Sequence, residues 1–474
     1  MLFSSLTFLI FFLPFVLFAS FIIMKFAGLK SVKIFLLLAS LFFYGWTFPG
    51  YILLILYSIC MNFLLGRILA TNHNYIILTV GVIFNLSLLG WYKYGAFFAQ
   101  NVTQLLNTDI HFAAVILPLA ISFFTFQQIA YLVDVSRGQV KSQNFLDYAF
   151  FVSFFPQLIA GPIVHHSQMM PQLNKERFAA FLSSDLVSGL ILFSIGLAKK
   201  VLIADQVRIF SDRIFNASAM GVEVGLMEAW LGVFCYSFQI YFDFSGYSDM
   251  ALGLGKMFGL KLPKNFNSPY KSKSIIEFWR NWNITLSHFL RDYLYFPLGG
   301  NRKGKFRRYG NLWIVMLLGG MWHGANWTFI MWGGLHGLYL VINHLWRNFG
   351  LRDLPSFISI GLTFVAVSLS WVFFRANDFD HAVNILNAMA GLQSAGTFSL
   401  QLMSDMIGTP LLLIFASYVV WKMPNGNEII ANFEQGQLSN KKAVALTLGA
   451  SVMAALSIYF IYVEGSYEFL YFQF

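Results

Sequence analysis

The sequence predicts an all-α polytopic membrane protein, and three observations carry that expectation: its composition, a recurrence of long apolar runs, and the way its basic residues are gathered. Of 474 residues, 58% are hydrophobic and 18% aromatic while only 11% are charged, against roughly a quarter charged in a soluble domain. A water-soluble fold has nowhere to hide that much apolar surface. A helix needs about 20 residues to cross a bilayer, and apolar runs of that order recur from Phe8 to Ile461. The chain reads as one integral-membrane domain, residues 1–474.

In chain order, the first run, Leu2 to Met24, has no positive charge before it; Lys25, Lys30 and Lys33 follow it. A secretory signal has the opposite order. The run is therefore expected to be a retained span, with the N-terminus outside the cytoplasm by the positive-inside rule. Further apolar stretches fall near 31–47, 50–70, 76–99, 113–133, 146–163, 185–203, 224–245, 311–346, 355–374, 408–421 and 443–463, and 311–346 is long enough for two spans. Lys441 and Lys442 precede the last run, so it should exit to the outside and leave the tail, 464–474, on the extracytoplasmic face among the lipid headgroups.

The region from Lys256 to Arg308 is different in kind, with twelve Lys or Arg and two acidic residues, Glu277 and Asp292. Extended to residue 310, it is expected to be a basic cytoplasmic or re-entrant region. Within it, residues 275–300 mix Trp279, Trp282, Phe289, Tyr293 and Tyr295 with charges. That is too polar to span and too aromatic for a free loop, which suggests an interfacial or re-entrant helix.

Several functions are disfavoured. The two cysteines, Cys60 and Cys235, lie far apart in apolar stretches, so neither a disulfide framework nor a cysteine metal site is expected. The net charge of +10 is better explained by orientation in a membrane than by nucleic-acid binding. P-loop and GxSxG patterns are missing, and Gly253, Gly255 and Gly259 do not have dinucleotide-binding spacing. Asp243 and Asp249 make a thin case for a metal, and a polar-network or helix-end role is the better reading. The five Asn-x-Ser/Thr triplets are chance-level matches.

The least ordinary stretch is GGMWHGANWTFIMWGGLHG, residues 319–337, with two histidines and six glycines in an otherwise apolar run. Ionisable residues at membrane depth are costly and point to function. A neutral histidine in a dry pocket suits the removal of a proton from a hydroxyl. His323 and His336 are thirteen residues apart, which on an ideal helix at about 100° per residue separates them, unless the glycines break the helix. Asn283 is a possible partner, because an amide can donate a hydrogen bond without bringing charge into the membrane. For His73, His111, His165, His166, His288, His344 and His381 the sequence offers no partner.

FWRNWNITLSHFLRDYLYFPLGGNRKG followed by MWHGANWTFIMWGGLHG resembles the membrane-bound O-acyltransferase family, and SFFTFQ and FFPQLIAGPI extend the likeness over most of the chain. The branch it looks like holds the alginate and peptidoglycan O-acetyltransferase membrane subunits and the teichoic-acid D-alanylation protein. The resemblance implies a ring of tilted helices with re-entrant segments around a central tunnel. It implies a bacterial inner-membrane enzyme that uses acetyl-CoA, or an acyl thioester on a carrier protein, as donor substrate and holds no bound cofactor or metal. His323 occupies the position of the family's essential histidine. Asn283 stands where some members have histidine, which favours an Asn283/His323 pair over two histidines. His336 matches a recurrent histidine with a structural or substrate-side role, and Arg280, Trp282 and Tyr293 are expected on the substrate side.

The tail FLYFQF resembles a C-terminal motif whose tyrosine, here Tyr471, receives the acyl group and passes it to an extracytoplasmic partner O-acyltransferase. Two alternatives remain open at this point: direct acylation of a lipid or lipid-linked acceptor, and a non-enzymatic acyl-donor transporter.

Overall fold

A computed structural model of the chain describes residues 1–107, 115–140, 144–159, 161–175, 177–352, 354–393 and 408–470. The regular elements among the described residues are all helical. A bilayer dictates this, because lipid offers backbone N–H and C=O groups no partner outside the segment itself. Six helices among the described residues are long and apolar enough to cross a membrane: Thr7–Gly45, Gly50–Asn72, Tyr75–Leu106, Ser183–Ala219, Ser356–Arg375 and Asn440–Glu464. The protein is an all-helical, multi-pass membrane protein.

The chain packs as two compact units. The first comprises Met1–Leu197, Tyr247–Lys264 and the chain from Ile429 onward. Its first helix kinks at Gly28, where φ is 77° and ψ −178°; the kink separates the apolar stretches 3–24 and 31–47. Lys33, which the sequence places among the orienting charges, is buried and donates to Asp147 at 2.7 Å and to Asn174 at 3.0 Å. Lys25 and Lys30 are exposed. Asn62 and Asn85, on neighbouring helices, exchange amide hydrogen bonds of 3.1 and 2.6 Å. The apolar stretch 146–163 is not one helix: Phe145–Ser153 ends at Phe154, whose ψ is 111°, and Pro156 opens a separate turn. The freed Phe155 N–H donates to Ser40 Oγ at 3.1 Å.

The C-terminal tail is only partly as expected. Residues 464–466 are exposed, but Phe469 and Leu470 are buried. The Phe469 ring stacks on Tyr247 at 4.7 Å, and Tyr247 also stacks on Phe3 at 4.7 Å. Tyr471 lies outside the described residues.

The second unit comprises Ala198–Gly246 and Asn265–Glu428. It holds a buried ion cluster in which Lys200 pairs with Asp205 at 2.6 Å and with Asp243 at 2.8 Å, so Asp243 belongs to a polar network. The stretch 311–346 forms two helices, Gly304–His323 and Trp327–Asn348. They pack backbone to backbone at glycines: a Cβ on Gly333 would run into the Met316 carbonyl oxygen, and one on Gly320 into that of Phe329. The basic region is a broken element, with short helices Ile275–Asn281 and Ile284–Leu290 meeting at Trp282 and Asn283. Asn283 makes the corner in the left-handed region, with φ 41° and ψ 56°, a conformation asparagine tolerates better than most residues.

Candidate active site

All the site residues that follow belong to the second unit. His323 is the last residue of the helix Gly304–His323. Gly324 continues in extended backbone, and Asn326 starts the next helix by accepting the Thr328 N–H at 3.1 Å. Asn326 is further tied down by donating to the Asn377 carbonyl at 2.7 Å. This three-residue break is the condition under which the two histidines can come together. It brings both histidines against one indole, with the His323 ring 4.9 Å and the His336 ring 4.8 Å from the ring of Trp332.

The surroundings of both histidines are aromatic. His323 is buried and also meets Phe374 at 5.1 Å. His336 is fully buried and stacks on Phe278 at 6.1 Å. Its Nδ1 accepts the Trp279 indole N–H at 3.2 Å. Trp332 stacks on Trp371 at 5.6 Å, and Trp371 meets Trp282 at 5.1 Å. Tyr270 fixes this wall: its hydroxyl accepts the Trp371 indole N–H at 3.1 Å and donates to the Ser237 carbonyl at 2.7 Å. Burial holds the Tyr270 phenol far above its ordinary pKa, so it stays protonated for that donation.

Asn283 is buried next to Trp282, and ring contacts through Trp282, Trp371 and Trp332 connect this corner to His323. Asn265, which the sequence did not mark, holds the corner: its carbonyl accepts the Ile284 N–H at 2.9 Å and its Oδ1 the Thr285 hydroxyl at 2.7 Å. The amide nitrogens of Asn265 and Asn283 and the indole nitrogen of Trp332 are all buried without an acceptor.

On the other side of Trp279 lies a cavity of about 470 Å³. Arg280, Arg291, Arg308, His288 and His344 line it, and among the described residues no carboxylate does. Arg308 is held by the His344 ring at 2.8 Å, and Arg291 is bound to Asp292 at 2.7 Å. Tyr295 also lines the cavity; burial raises its phenol and Arg308 opposes the shift. Of the substrate-side candidates, Arg280 lines this cavity, whereas Trp282 sits in the aromatic core and Tyr293 packs on Phe289 at 5.0 Å. Trp279, Arg308, His288 and His344 were not singled out for this role by the sequence. The abundance of cations in 256–308 was the available signal for Arg308 and His288, and nothing comparable marked His344.

An imidazole at this depth can take a proton from a hydroxyl, donors lacking acceptors suit an oxygen that is gaining negative charge, and arginines at a cavity hold a phosphate-bearing molecule. Those are the requirements for moving a group from an activated ester to a hydroxyl inside a membrane, which defines a membrane acyltransferase. Residues 67–369 match the family described as MBOAT, membrane-bound O-acyltransferase, and the chain belongs to that family. It is 40% identical to the peptidoglycan O-acetyltransferase of Helicobacter pylori, over all of this chain and 98% of that protein. It is also 40% identical to a probable alginate O-acetylase of Pseudomonas aeruginosa, over 84% of this chain and 76% of that one. A teichoic acid D-alanyltransferase of Streptococcus thermophilus is 29% identical over 54% of this chain and 68% of its own length. The protein is thus an enzyme, an O-acyltransferase, and the transporter alternative falls away.

Proposed function

We propose that this acyltransferase takes an acetyl group from acetyl-CoA at the cytoplasmic face of a bacterial inner membrane and passes it outward for O-acetylation of peptidoglycan or an exported polysaccharide. The observation that carries this reading is the cavity at Trp279. Its arginines and histidines, with no carboxylate among them, suit the phosphates of a CoA thioester. Its wall residue Trp279 is bonded to His336, which shares the Trp332 ring with His323. The names of the two relatives that match most of the chain support acetyl as the group transferred.

In the proposed reaction a hydroxyl oxygen attacks the thioester carbonyl carbon and His323 takes its proton. The carbon–sulfur bond then breaks, and His323 returns the proton to the departing sulfur. The Asn283 amide donates toward the oxygen that carries the charge. Tyr471 is the proposed first acceptor, and the acyl-tyrosine passes its acyl group to a partner acyltransferase outside. The resemblance of the tail supports Tyr471.

Intact mass and peptide mapping after incubation with acetyl-CoA test the relay. An acetyl adduct on the C-terminal peptide that vanishes in Tyr471→Phe is expected. Full activity in Tyr471→Phe, with no adduct in the wild type, would move the reading to direct transfer onto a lipid or glycan acceptor.

A further inference from the structure

We propose that His336 is a catalytic hydrogen-bond donor, whose Nε2–H meets the oxyanion formed from the thioester, and that Trp279 is the positioning residue that fixes it in this form. The inference rests on the acyl-transfer reading and adds to it a role for the second histidine.

The assignment begins with Trp279. An indole nitrogen can only donate, and that of Trp279 lies 3.2 Å from His336 Nδ1. Nδ1 must therefore offer a lone pair, which leaves the single ring proton on Nε2. The rings of Phe278, Trp279, Trp332, Tyr339 and Trp371 pack around the imidazole, which is fully buried. Nε2 has no partner. It is a donor without an acceptor, fixed in orientation by the bond at the opposite nitrogen.

This donor has company. The Trp332 indole N–H, on the ring that both histidines touch, is likewise buried without an acceptor. The reaction itself generates the acceptor such donors need. As the hydroxyl oxygen bonds to the thioester carbon, the carbonyl π pair moves onto oxygen, and when the carbon–sulfur bond breaks that pair returns. Donors held in advance around this oxygen stabilise the transition state more than the ground state. A histidine pinned as a neutral donor cannot also be the base, which leaves that work to His323.

Paired substitutions separate this role from a structural one. Glutamine places its amide nitrogen near the position of Nε2 and so keeps the proposed donor. Asparagine is shorter; its amide oxygen can still accept from Trp279, but it has no donor at the Nε2 position. The assay is release of CoA thiol from acetyl-CoA by the full chain in lipid nanodiscs, with kcat read as the rate of the first turnover because no partner enzyme is present to unload Tyr471, after each variant has been shown to be monodisperse. His336→Gln is expected within about tenfold of wild-type kcat, and His336→Asn lower by about 10² to 10³ with little change in KM, the usual loss for one oxyanion donor.

The reverse order, equal losses, or no loss in either variant overturns the assignment. Should neither variant fold, Trp279→Phe decides the matter: it keeps the ring but not the N–H, and an unchanged kcat there overturns the proposal. Absence of thiol release from the wild type, or wild-type release from His323→Ala, would be a different failure, that of the acyl-transfer reading itself.

Discussion

Replacing Arg308 by glutamine isolates what the basic cavity contributes. Arg308 lines the cavity half-buried, and the His344 ring holds its guanidinium at 2.8 Å, so little ordering is left to be done when a phosphate arrives. A hydrogen bond to a charged group is worth about 1.5 to 3 kcal/mol, and partial exposure places this one at the lower end. With about 1.4 kcal/mol per tenfold, KM for acetyl-CoA should rise roughly tenfold. The bond-breaking step involves residues beyond Trp279, so kcat should hardly change. The assay compares acetyl-CoA with S-acetyl-pantetheine, which offers the same thioester without phosphates. Arg308→Gln should weaken the first substrate and leave the second alone, and raised salt should weaken wild-type use of acetyl-CoA only. An equal effect on both substrates, or none on either, would refute the role given to the cavity.

Two further predictions concern the scaffold. Gly333→Ala puts a methyl group against the Met316 carbonyl, a backbone atom that no rotamer change can move; overpacking of about 1 to 3 kcal/mol should lower the thermal unfolding midpoint in detergent and reduce activity with it. Lys33→Met strands the Asp147 carboxylate, whose side chain is only 14% exposed. A loss of about 3 to 5 kcal/mol is expected, with much of it restored in the double variant Lys33→Met/Asp147→Leu, and a melting comparison of the three proteins checks it.

The helical class was legible because hydropathy reports directly on the one constraint a bilayer imposes; most long helices start close to an apolar run, but Tyr75–Leu106, Ser183–Ala219 and Leu226–Met257 continue well past theirs into more polar sequence. The breaks were harder to read. In 146–163 the apolar composition runs straight through Phe154, and only Pro156 marks the interruption. The meeting of His323 and His336 depends on a break, because on one continuous helix their spacing would separate them. The signal for that break is Asn326, two residues after Gly324, whose side chain can cap a new helix.

His323 stood out as an ionisable residue in an apolar run and Asn283 as an uncharged donor, and the motif resemblance then joined the two as a pair. Asn265 and Trp332 escaped, since a buried amide or indole gains its meaning only from the acceptor it lacks in the fold. Arg308 and His344 are 36 residues apart in sequence and meet because the hairpin folds their two helices together.

The account stands or falls on His323. Purified wild-type protein and His323→Ala, matched for amount and monodispersity, would be given acetyl-CoA with peptidoglycan fragments and followed for CoA thiol. With no partner enzyme present to unload Tyr471, a single burst of release is predicted from the wild type, and a burst rate lower by about 10² to 10⁴ in the variant, the usual contribution of a positioned base. Release at the wild-type rate from His323→Ala would contradict it.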